Sequence, residues 1–273
     1  MNFLPVPGDR PAPRGGSWFL TILWLPGVLL FLFILLPLAR MTLAQTPAGL
    51  AAVAARAGVR SAIGLSLATA LVTTLIAAFL GIPTAYLLSR PVFPGKQVLE
   101  AVVDLPLAVP HTVAGIALLF VFGRKGIVGF LAARYLGVSF WGTAAGIVVG
   151  MLFVSLPYMV NAARAGFEGV DPRLAKAART LGATPATVFT RVLWPLALRN
   201  VASGMLLTYA RSISEFGAVV LLAYYPMTAP VKIYQLYLES GLREASAAAV
   251  LLLAATLLTF ILMRWLIGRN RWS

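Results

Sequence analysis

The chain has 273 residues, of which 60% are hydrophobic and only 11% are charged, and its mean hydropathy is +0.90. Soluble domains carry about a quarter charged residues, so this composition excludes an ordinary soluble protein and indicates an integral membrane protein. The net charge of +14 then indicates topology and lipid contact rather than nucleic-acid binding, and the absence of cysteine excludes disulfides, thiolate metal sites and cysteine nucleophiles.

Residues 1–16 are rich in proline and glycine, which predicts a flexible leader on the cytoplasmic side of the membrane. An apolar run follows at 17–40. A signal peptide is one interpretation of this run, because an arginine-bearing leader precedes it, but the apolar core of a signal peptide has only about 7–15 residues. We therefore interpret the run as an uncleaved anchor, which begins a single transmembrane domain over 17–273.

Further apolar runs predict an all-α membrane protein with about six transmembrane helices. One of them, 104–123, is interrupted by Pro106 and Pro110. Proline removes a helical N–H group and clashes with the preceding turn, so we expect one span with a distorted first half. The uninterrupted runs are at 17–40, 60–89, 140–163, 197–223 and 245–268.

The distribution of Lys and Arg predicts the orientation of these spans. Six spans place both termini on one side, and a cytoplasmic location for the termini puts more basic residues inside than outside. We therefore expect a multi-pass protein of the cytoplasmic membrane, embedded in the lipid bilayer, with both termini in the cytoplasm. The loop at 164–196 then faces the cytoplasm.

This cytoplasmic loop carries the signals of a short helix. Asp171 is an N-cap residue, and Pro172 follows at the first helical position, where its missing N–H costs nothing. Gly182 ends the helix, because glycine adopts the left-handed conformation at low cost. Four residues at helical spacing predict an apolar stripe between these signals: Leu174, Ala177, Ala178 and Leu181.

A second helix is predicted directly after the first. Thr184 and Pro185 repeat the combination of an N-cap and a first-turn proline, and Pro195 is expected to close the unit before the next span. Two interpretations of the hairpin stay open, an amphipathic element held by anionic lipid and an element that docks on a protein. The small residues Ala177 and Ala178 suit close approach to a protein.

The stretch "KAARTLGATPATVFTRVLWP" resembles the cytoplasmic loop motif of ABC importer permeases. That motif has Glu-Ala-Ala, three residues, Gly, nine residues and Ile-x-Leu-Pro. In this chain Lys176 takes the glutamate position, and Ala177, Ala178, Gly182 and Pro195 match their positions. Val192 and Trp194 stand for the isoleucine and the leucine.

This resemblance implies a type I ABC importer permease fold and a homodimer of this chain. It also implies that the loop couples the spans to two copies of an ATP-binding subunit. The chain lacks the phosphate-loop pattern G-x-x-x-x-G-K-[ST]. We therefore expect no enzyme activity and no cofactor on this chain, with ATP and magnesium bound by the partner.

Three further stretches narrow the resemblance to the permeases of molybdate and tungstate importers, with sulfate permeases as near neighbours. They lie at 103–123, 166–185 and 210–237. The resemblance implies an oxyanion as the substrate, alternating access as the mechanism, and an extracytoplasmic oxyanion-binding protein as a partner. Sulfate transport is the alternative substrate interpretation.

Charged and hydroxyl side chains interrupt the fifth predicted span. Arg211 and Glu215 lie four residues apart on one helical face, where each unpaired charge costs about 2.5–3.5 kcal/mol to insert. One interpretation is a structural ion pair, and another is a gate. The third is an oxyanion path to which Arg211 adds positive potential and which Ser212 and Ser214 line.

His111, the only histidine, lies between Pro110 and Thr112 in the distorted third span. It is either a hydrogen-bonding structural residue or part of the lining of the pathway. The chain has too few acidic residues near it for a Ser/His or paired-acid site, so no catalytic residues and no metal site are expected.

Aromatic residues cluster on the predicted outer surface. Tyr224, Tyr225 and Tyr234, with Lys232, are interpreted either as a membrane-interface belt or as a docking surface for the binding protein.

A transporter or channel that needs no nucleotide is the competing functional class. Such folds often contain internal repeats with a discontinuous helix in each half. We find a proline-broken span in the first half of this chain only.

Overall fold

The computed structural model of the protein describes residues 17–90 and 93–269, and within these ranges it contains helices and no strand. This confirms the predicted all-α class. The predicted leader lies outside the described residues. The helices are α1 Ser17–Leu43, α2 Pro47–Ala55, α3 Ala57–Leu88, α4 Lys96–Ala108, α5 His111–Phe122, α6 Ile127–Leu131, α7 Ala144–Glu168, α8 Pro172–Thr180, α9 Pro185–Val188, α10 Trp194–Ile213, α11 Gly217–Leu222, α12 Ala229–Ser240 and α13 Leu242–Arg269. Two π-helical segments follow α6 and α9, at Ala132–Leu136 and Phe189–Leu193.

The chain forms two compact units that divide between Thr46 and Pro47. The first unit contains α1, an apolar helix in which no side chain of Ile22–Leu43 is buried. The second unit contains α2 to α13 and all the candidate functional residues considered below.

Helices α3, α7 and α10 form the centre of the second unit. Their contacts are made largely by small residues, among which Ala77, Ala163 and Ala197 are completely buried. Small side chains let helix backbones approach closely, which is how helices associate where surrounding lipid is as apolar as the side chains. The three helices therefore provide a closely packed scaffold for the shorter elements around them.

Among the residues that the structure describes, four helices are long and apolar enough to cross a membrane. Over Ile22–Leu43, Ala57–Leu88, Ala144–Glu168 and Leu242–Trp265 they confirm the spans predicted at 17–40, 60–89, 140–163 and 245–268. The other two predicted spans have a different form.

The third predicted span, 104–123, is not one distorted helix. It consists of α4 and α5, which meet at an angle of 113°. Pro106 lies inside α4, whereas the break falls at Val109 and Pro110, whose ψ angles of 128° and 135° are those of extended backbone. The residue before a proline is disfavoured in the helical region. Val109, before Pro110, is extended, whereas Leu105, before Pro106, stays helical, so the chain turns at Pro110. The pair therefore forms a broken span or a re-entrant loop.

The fifth predicted span, 197–223, is also interrupted. Helix α10 ends at Ile213, and α11 begins at Gly217 and has only six residues. Polar side chains take up backbone groups at the break: Ser214 Oγ donates to the Arg211 carbonyl, and Glu215 Oε1 accepts from the Ala218 N–H. These side-chain bonds compete with the helical ladder and end it.

Pro195 does not close the loop as expected. The chain stays helical from α9 into α10 through the π-helical segment, in which the Trp194 N–H donates to the Phe189 carbonyl five residues back. Proline has no N–H and clashes with the carbonyl four residues back. The wider π turn accommodates Pro195 at the start of α10, so loop and span form one continuous helical arm.

Candidate functional sites

The two broken spans meet at an open recess of about 500 Å³ in the second unit. Helices α5 and α11 pack together through apolar residues, including Leu118 and Leu222. This packing brings the N-terminal end of α5 next to the break between α10 and α11. The recess is lined by His111, Thr112, Arg211, Ser214, Glu215, Phe216 and Gly217.

Arg211 lies at the centre of the polar contacts in this recess. Its Nη2 donates to Glu215 Oε2 at 2.7 Å, and its Nη1 donates to Ser214 Oγ at 3.2 Å. The imidazole of His111 lies against the same Nη2, with Nε2 at 2.9 Å and Nδ1 at 3.2 Å. The Arg211 guanidinium thus contacts His111, which lies 100 positions earlier in the chain.

Glu215 is the buried member of this cluster. Its side chain is 1% exposed, whereas that of Arg211 is 17% exposed and that of His111 is 48% exposed. One carboxylate oxygen binds Arg211, and the other accepts from the Ala218 N–H at 2.8 Å. Glu215 therefore holds the guanidinium and the first turn of α11 together, while His111 and Ser214 offer hydrogen-bonding groups to the recess.

Ser212 lies elsewhere. It is completely buried, and its Oγ donates to Ser155 Oγ of α7 at 3.1 Å. Ser212 therefore joins α10 to the scaffold and does not line the recess with Ser214. Pro110 precedes α5 as its N-cap residue and is exposed, and Thr112, in the first turn, lines the recess.

Sequence reasoning did not identify Phe216 and Gly217 as lining residues. A Cβ atom on Gly217 would lie 2.7 Å from the Cβ of His111 and 3.2 Å from its carbonyl carbon. This glycine therefore permits the contact between α11 and the start of α5. The pattern in the sequence, a glycine just after a polar interruption, does not distinguish such a contact from an ordinary helix start.

We expect Gly217→Ala to destabilise the protein by about 1–3 kcal/mol, because the added methyl group must push α5 and α11 apart. Thermal unfolding in detergent measures the effect. Gly64→Ala is the matched control, since no heavy atom lies within 4 Å of the added Cβ and alanine favours the helix. Equal unfolding temperatures for the two variants would contradict close packing at Gly217.

The cytoplasmic loop has the local structure that its sequence predicts. The Asp171 carboxylate accepts from the Arg173 N–H at 2.8 Å, and Thr184 Oγ1 accepts from the Thr187 N–H at 3.2 Å. Both prolines lie in the first helical turn. Gly182 has a φ of +86°, in the left-handed region that the predicted turn requires. The α8–turn–α9 unit is therefore specified by local signals.

The apolar stripe predicted on α8 points mostly outward. Only Ala178 of the stripe, with the neighbouring Ala175, packs against the core of the second unit. Leu174 is 48% exposed and Leu181 is 88% exposed. Lys176 and Ala177 are exposed as well. The helix thus presents an apolar and basic surface that nothing in the described part of the chain covers.

The predicted outer residues lie near a second recess, of about 390 Å³, which Tyr225 and Lys232 line. Tyr224 contacts Tyr225 with ring centroids 5.5 Å apart, and Tyr234 packs edge-on against Phe216 at 5.2 Å. Lys232 Nζ donates to Gln235 Oε1 at 2.7 Å. Because Phe216 also lines the first recess, Tyr234 lies close to the broken span.

Within residues 17–90 and 93–269, no group of three His, Cys, Asp or Glu side chains is placed to hold a metal ion.

Comparison with known proteins identifies related chains over most of this length. Residues 77–272 match the family described as "Binding-protein-dependent transport system inner membrane component". The "Molybdate/tungstate transport system permease protein WtpB" of Thermococcus kodakarensis is 43% identical over 77% of this chain and 79% of its own. A "Probable molybdenum ABC transporter permease protein" of Haloferax volcanii is 40% identical over 94% and 93%. A "Probable sulfate transport system permease protein" of Nephroselmis olivacea is 32% identical over 77% and 75%.

Solved structures show the same fold at low sequence identity. A bacterial ABC transporter involved in the import of alginate matches with a TM-score of 0.74 and 18% identity, over 93% of this chain and 96% of that chain. The MetNI methionine ABC transporter in an inward-facing conformation matches with a TM-score of 0.60 and 17% identity, over 78% and 94%. The predicted type I importer permease fold is confirmed.

Proposed function

This chain belongs to the binding-protein-dependent transport system inner membrane component family, and from that membership we propose that it forms the translocation pathway of an ATP-driven importer for molybdate or tungstate. The likeness to molybdate and tungstate permeases at 40–43% identity carries the choice of substrate. A sulfate permease is less similar, at 32% identity, so sulfate is the second candidate.

A separate ATP-binding subunit supplies the energy in this proposal. The chain has no phosphate-loop pattern, so ATP and magnesium belong to the partner, and two copies of that subunit serve two copies of this chain. The uncovered face of α8, with Lys176 and Ala177, is the surface that enters a groove on the ATPase. Ala178 supports this helix from inside, Gly182 sets the turn, and Pro195 lies where the arm continues into α10.

The continuous arm gives the loop a mechanical role. Movement of α8 and α9 is transmitted along α10, which ends at the recess around Arg211. Closing of the ATPase dimer would thus displace the break that holds His111, Arg211 and Ser214. These are the groups that we assign, with Pro110, Thr112 and Glu215, to the translocation pathway, where an arginine adds positive potential for an oxyanion. Ser212 has a structural role instead.

The proposed orientation in the membrane assigns a side to the termini, to the cytoplasmic loop and to the tyrosine surface. Both termini and the α8–α9 loop face the cytoplasm, in agreement with the basic excess of that side. Tyr224, Tyr225, Lys232 and Tyr234 then face outward, where an extracytoplasmic oxyanion-binding protein docks. Residues 17–273 form one transmembrane domain after a cytoplasmic leader.

The test is ATP hydrolysis by this chain reconstituted in liposomes with its proposed ATP-binding partner. We expect stimulation by a binding protein loaded with molybdate or tungstate, and little stimulation by the same protein with sulfate. If only the sulfate-loaded binding protein stimulated ATP hydrolysis, the chain would still be an importer permease, but its substrate would be sulfate. Uptake without any associated ATPase would overturn the proposal in favour of a nucleotide-independent transporter.

A further inference from the structure

A third recess, separate from the two already described, lies where α3 meets the helical arm of the cytoplasmic loop. It has a volume of about 650 Å³, within the range of about 300–1,000 Å³ that is usual for small-molecule sites. Its walls are Phe79, Ile82 and Tyr86 from α3 and Phe189, Thr190 and Trp194 from the arm. We call it the α3–arm groove.

The groove is almost wholly apolar, and its inner wall is a packed aromatic cluster. The Tyr86 ring contacts the ring of Phe189 edge-on, with centroids 4.8 Å apart, and Phe189 lies 6.2 Å from Trp194. Phe79, in contrast, is 76% exposed. The groove is therefore a preformed apolar surface that the described part of the chain leaves open.

Arg90 lies at one end of this groove, and Arg179 is near enough to act on its charge. The guanidinium of Arg90 stacks on the Tyr86 ring, 4.1 Å from its centroid. Burial lowers the pKa of Arg90 below its usual value, and the nearby positive charge of Arg179 on α8 lowers it further. Two neighbouring cations repel each other, and an anion between them relieves that repulsion.

No carboxylate neutralises this pair within the part of the chain that the structure describes. Glu100, which pairs with Lys96 at 3.8 Å, is also engaged by Arg164 at 3.0 Å. The site at Arg90 and Arg179 is thus complementary to an external anion.

The position of the groove along α3 indicates what kind of anion would bind there. Its α3 residues belong to the last three turns of a membrane-spanning helix, and Arg90 follows directly after that helix ends. Apolar surface at this depth faces acyl chains, and basic residues just beyond it lie at the level of the lipid headgroups. The arrangement matches one molecule with an apolar tail and an anionic head.

We propose that the α3–arm groove binds an anionic phospholipid, with an acyl chain against Phe79, Tyr86 and Phe189 and the phosphate between Arg90 and Arg179. The bound lipid would connect α3 to both helices of the cytoplasmic loop. The binding itself is independent of the transported substrate. A regulatory consequence, tighter coupling in anionic membranes, rests on the proposed function.

The direct test is lipid binding to the purified chain, measured by native mass spectrometry with phosphatidylglycerol and phosphatidylcholine. We expect a preference for phosphatidylglycerol that falls about fivefold in Arg90→Gln and again in Arg179→Gln, since one basic residue near an anionic surface contributes about 1 kcal/mol. Arg173→Gln, on the same short helix, is the charge-matched control and should keep the preference.

A second variant tests the tail rather than the headgroup. Thr190→Phe fills the groove and leaves both arginines in place, so it should weaken binding of the phospholipid. Equal binding of water-soluble glycerophosphoglycerol and of phosphatidylglycerol would overturn the proposal, because the groove would then contribute nothing. An unchanged preference for phosphatidylglycerol in Arg90→Gln/Arg179→Gln would also overturn the proposal. This holds even if that variant no longer assembles with its ATPase.

The regulatory consequence has its own readout. ATPase stimulation by the loaded binding protein is compared in nanodiscs of phosphatidylglycerol and of phosphatidylcholine. We expect stronger stimulation in phosphatidylglycerol for the wild type and for Thr187→Ser, and an equal response in Thr190→Phe. Stimulation that is present but insensitive to lipid would overturn the regulatory role alone, whereas no stimulation in either lipid would contradict the proposed function and leave the binding result standing.

Discussion

Replacement of Glu215 by alanine is expected to destabilise the protein by about 3 kcal/mol or more, because it leaves the Arg211 guanidinium without its carboxylate in a largely buried position. Glu215 is 1% exposed and binds both Arg211, at 2.7 Å, and the Ala218 N–H, at 2.8 Å. The substitution removes both contacts at once. Thermal or denaturant unfolding in detergent measures the loss.

Glu239→Ala is the control for this variant. Glu239 is exposed and accepts one hydrogen bond, from Gln235 Nε2 at 2.8 Å, and exposed substitutions usually change stability by about 0.5 kcal/mol or less. If both variants unfolded alike, the burial of Glu215 would have no energetic consequence, and the ion pair could not be what maintains the break.

A double variant separates structure from transport. Apolar replacement of both members of a buried ion pair is often neutral or stabilising, so Arg211→Met/Glu215→Leu should recover most of the stability that Glu215→Ala loses. Transport should not recover, because the pathway then lacks its cation. Normal oxyanion uptake by the double variant would show that Arg211 is a structural residue only.

Gly182→Val is expected to reduce oxyanion uptake by about tenfold while this chain still assembles with its ATPase. The left-handed conformation costs a residue with a Cβ atom about 1–2 kcal/mol, which changes a local equilibrium by a factor of about 5–30. Because Gly182, at φ +86°, sets the turn between α8 and α9, the strain falls on the element that we propose couples the two subunits. The measurement is uptake per ATP hydrolysed in liposomes.

Gly137→Val is the matched control for Gly182→Val. Gly137 has a φ of +67° and a ψ of 14°, in the left-handed region, and no heavy atom lies within 4 Å of the added Cβ atom at either position. The backbone strain is therefore similar, but Gly137 lies between the π-helical segment Ala132–Leu136 and α7, away from the loop. Equal losses of uptake in the two variants would mean that general destabilisation, and not coupling, is responsible.

Local signals were sufficient to predict most of the cytoplasmic loop. The caps at Asp171 and Thr184 and the turn at Gly182 each depend on residues within a few positions of one another, and the structure has all three. The outward direction of Leu174 and Leu181 could not be predicted in this way. Spacing shows that residues share a face, whereas only the packing of α8 on the core shows where that face points.

The amino-acid sequence by itself determined the membrane class, the four uninterrupted spans and the loop, because hydropathy over about 20 residues and capping chemistry are local properties. Tertiary structure decided the course of the other two spans. A hydropathy window does not record direction, so it could not distinguish a straight helix from α4 and α5 at 113°. At the second break a local side chain, Glu215, satisfies the Ala218 N–H, and the packing of α5 on α11 holds the two broken spans together. The contact of His111 with Arg211, across 100 residues, exists only once both breaks have formed.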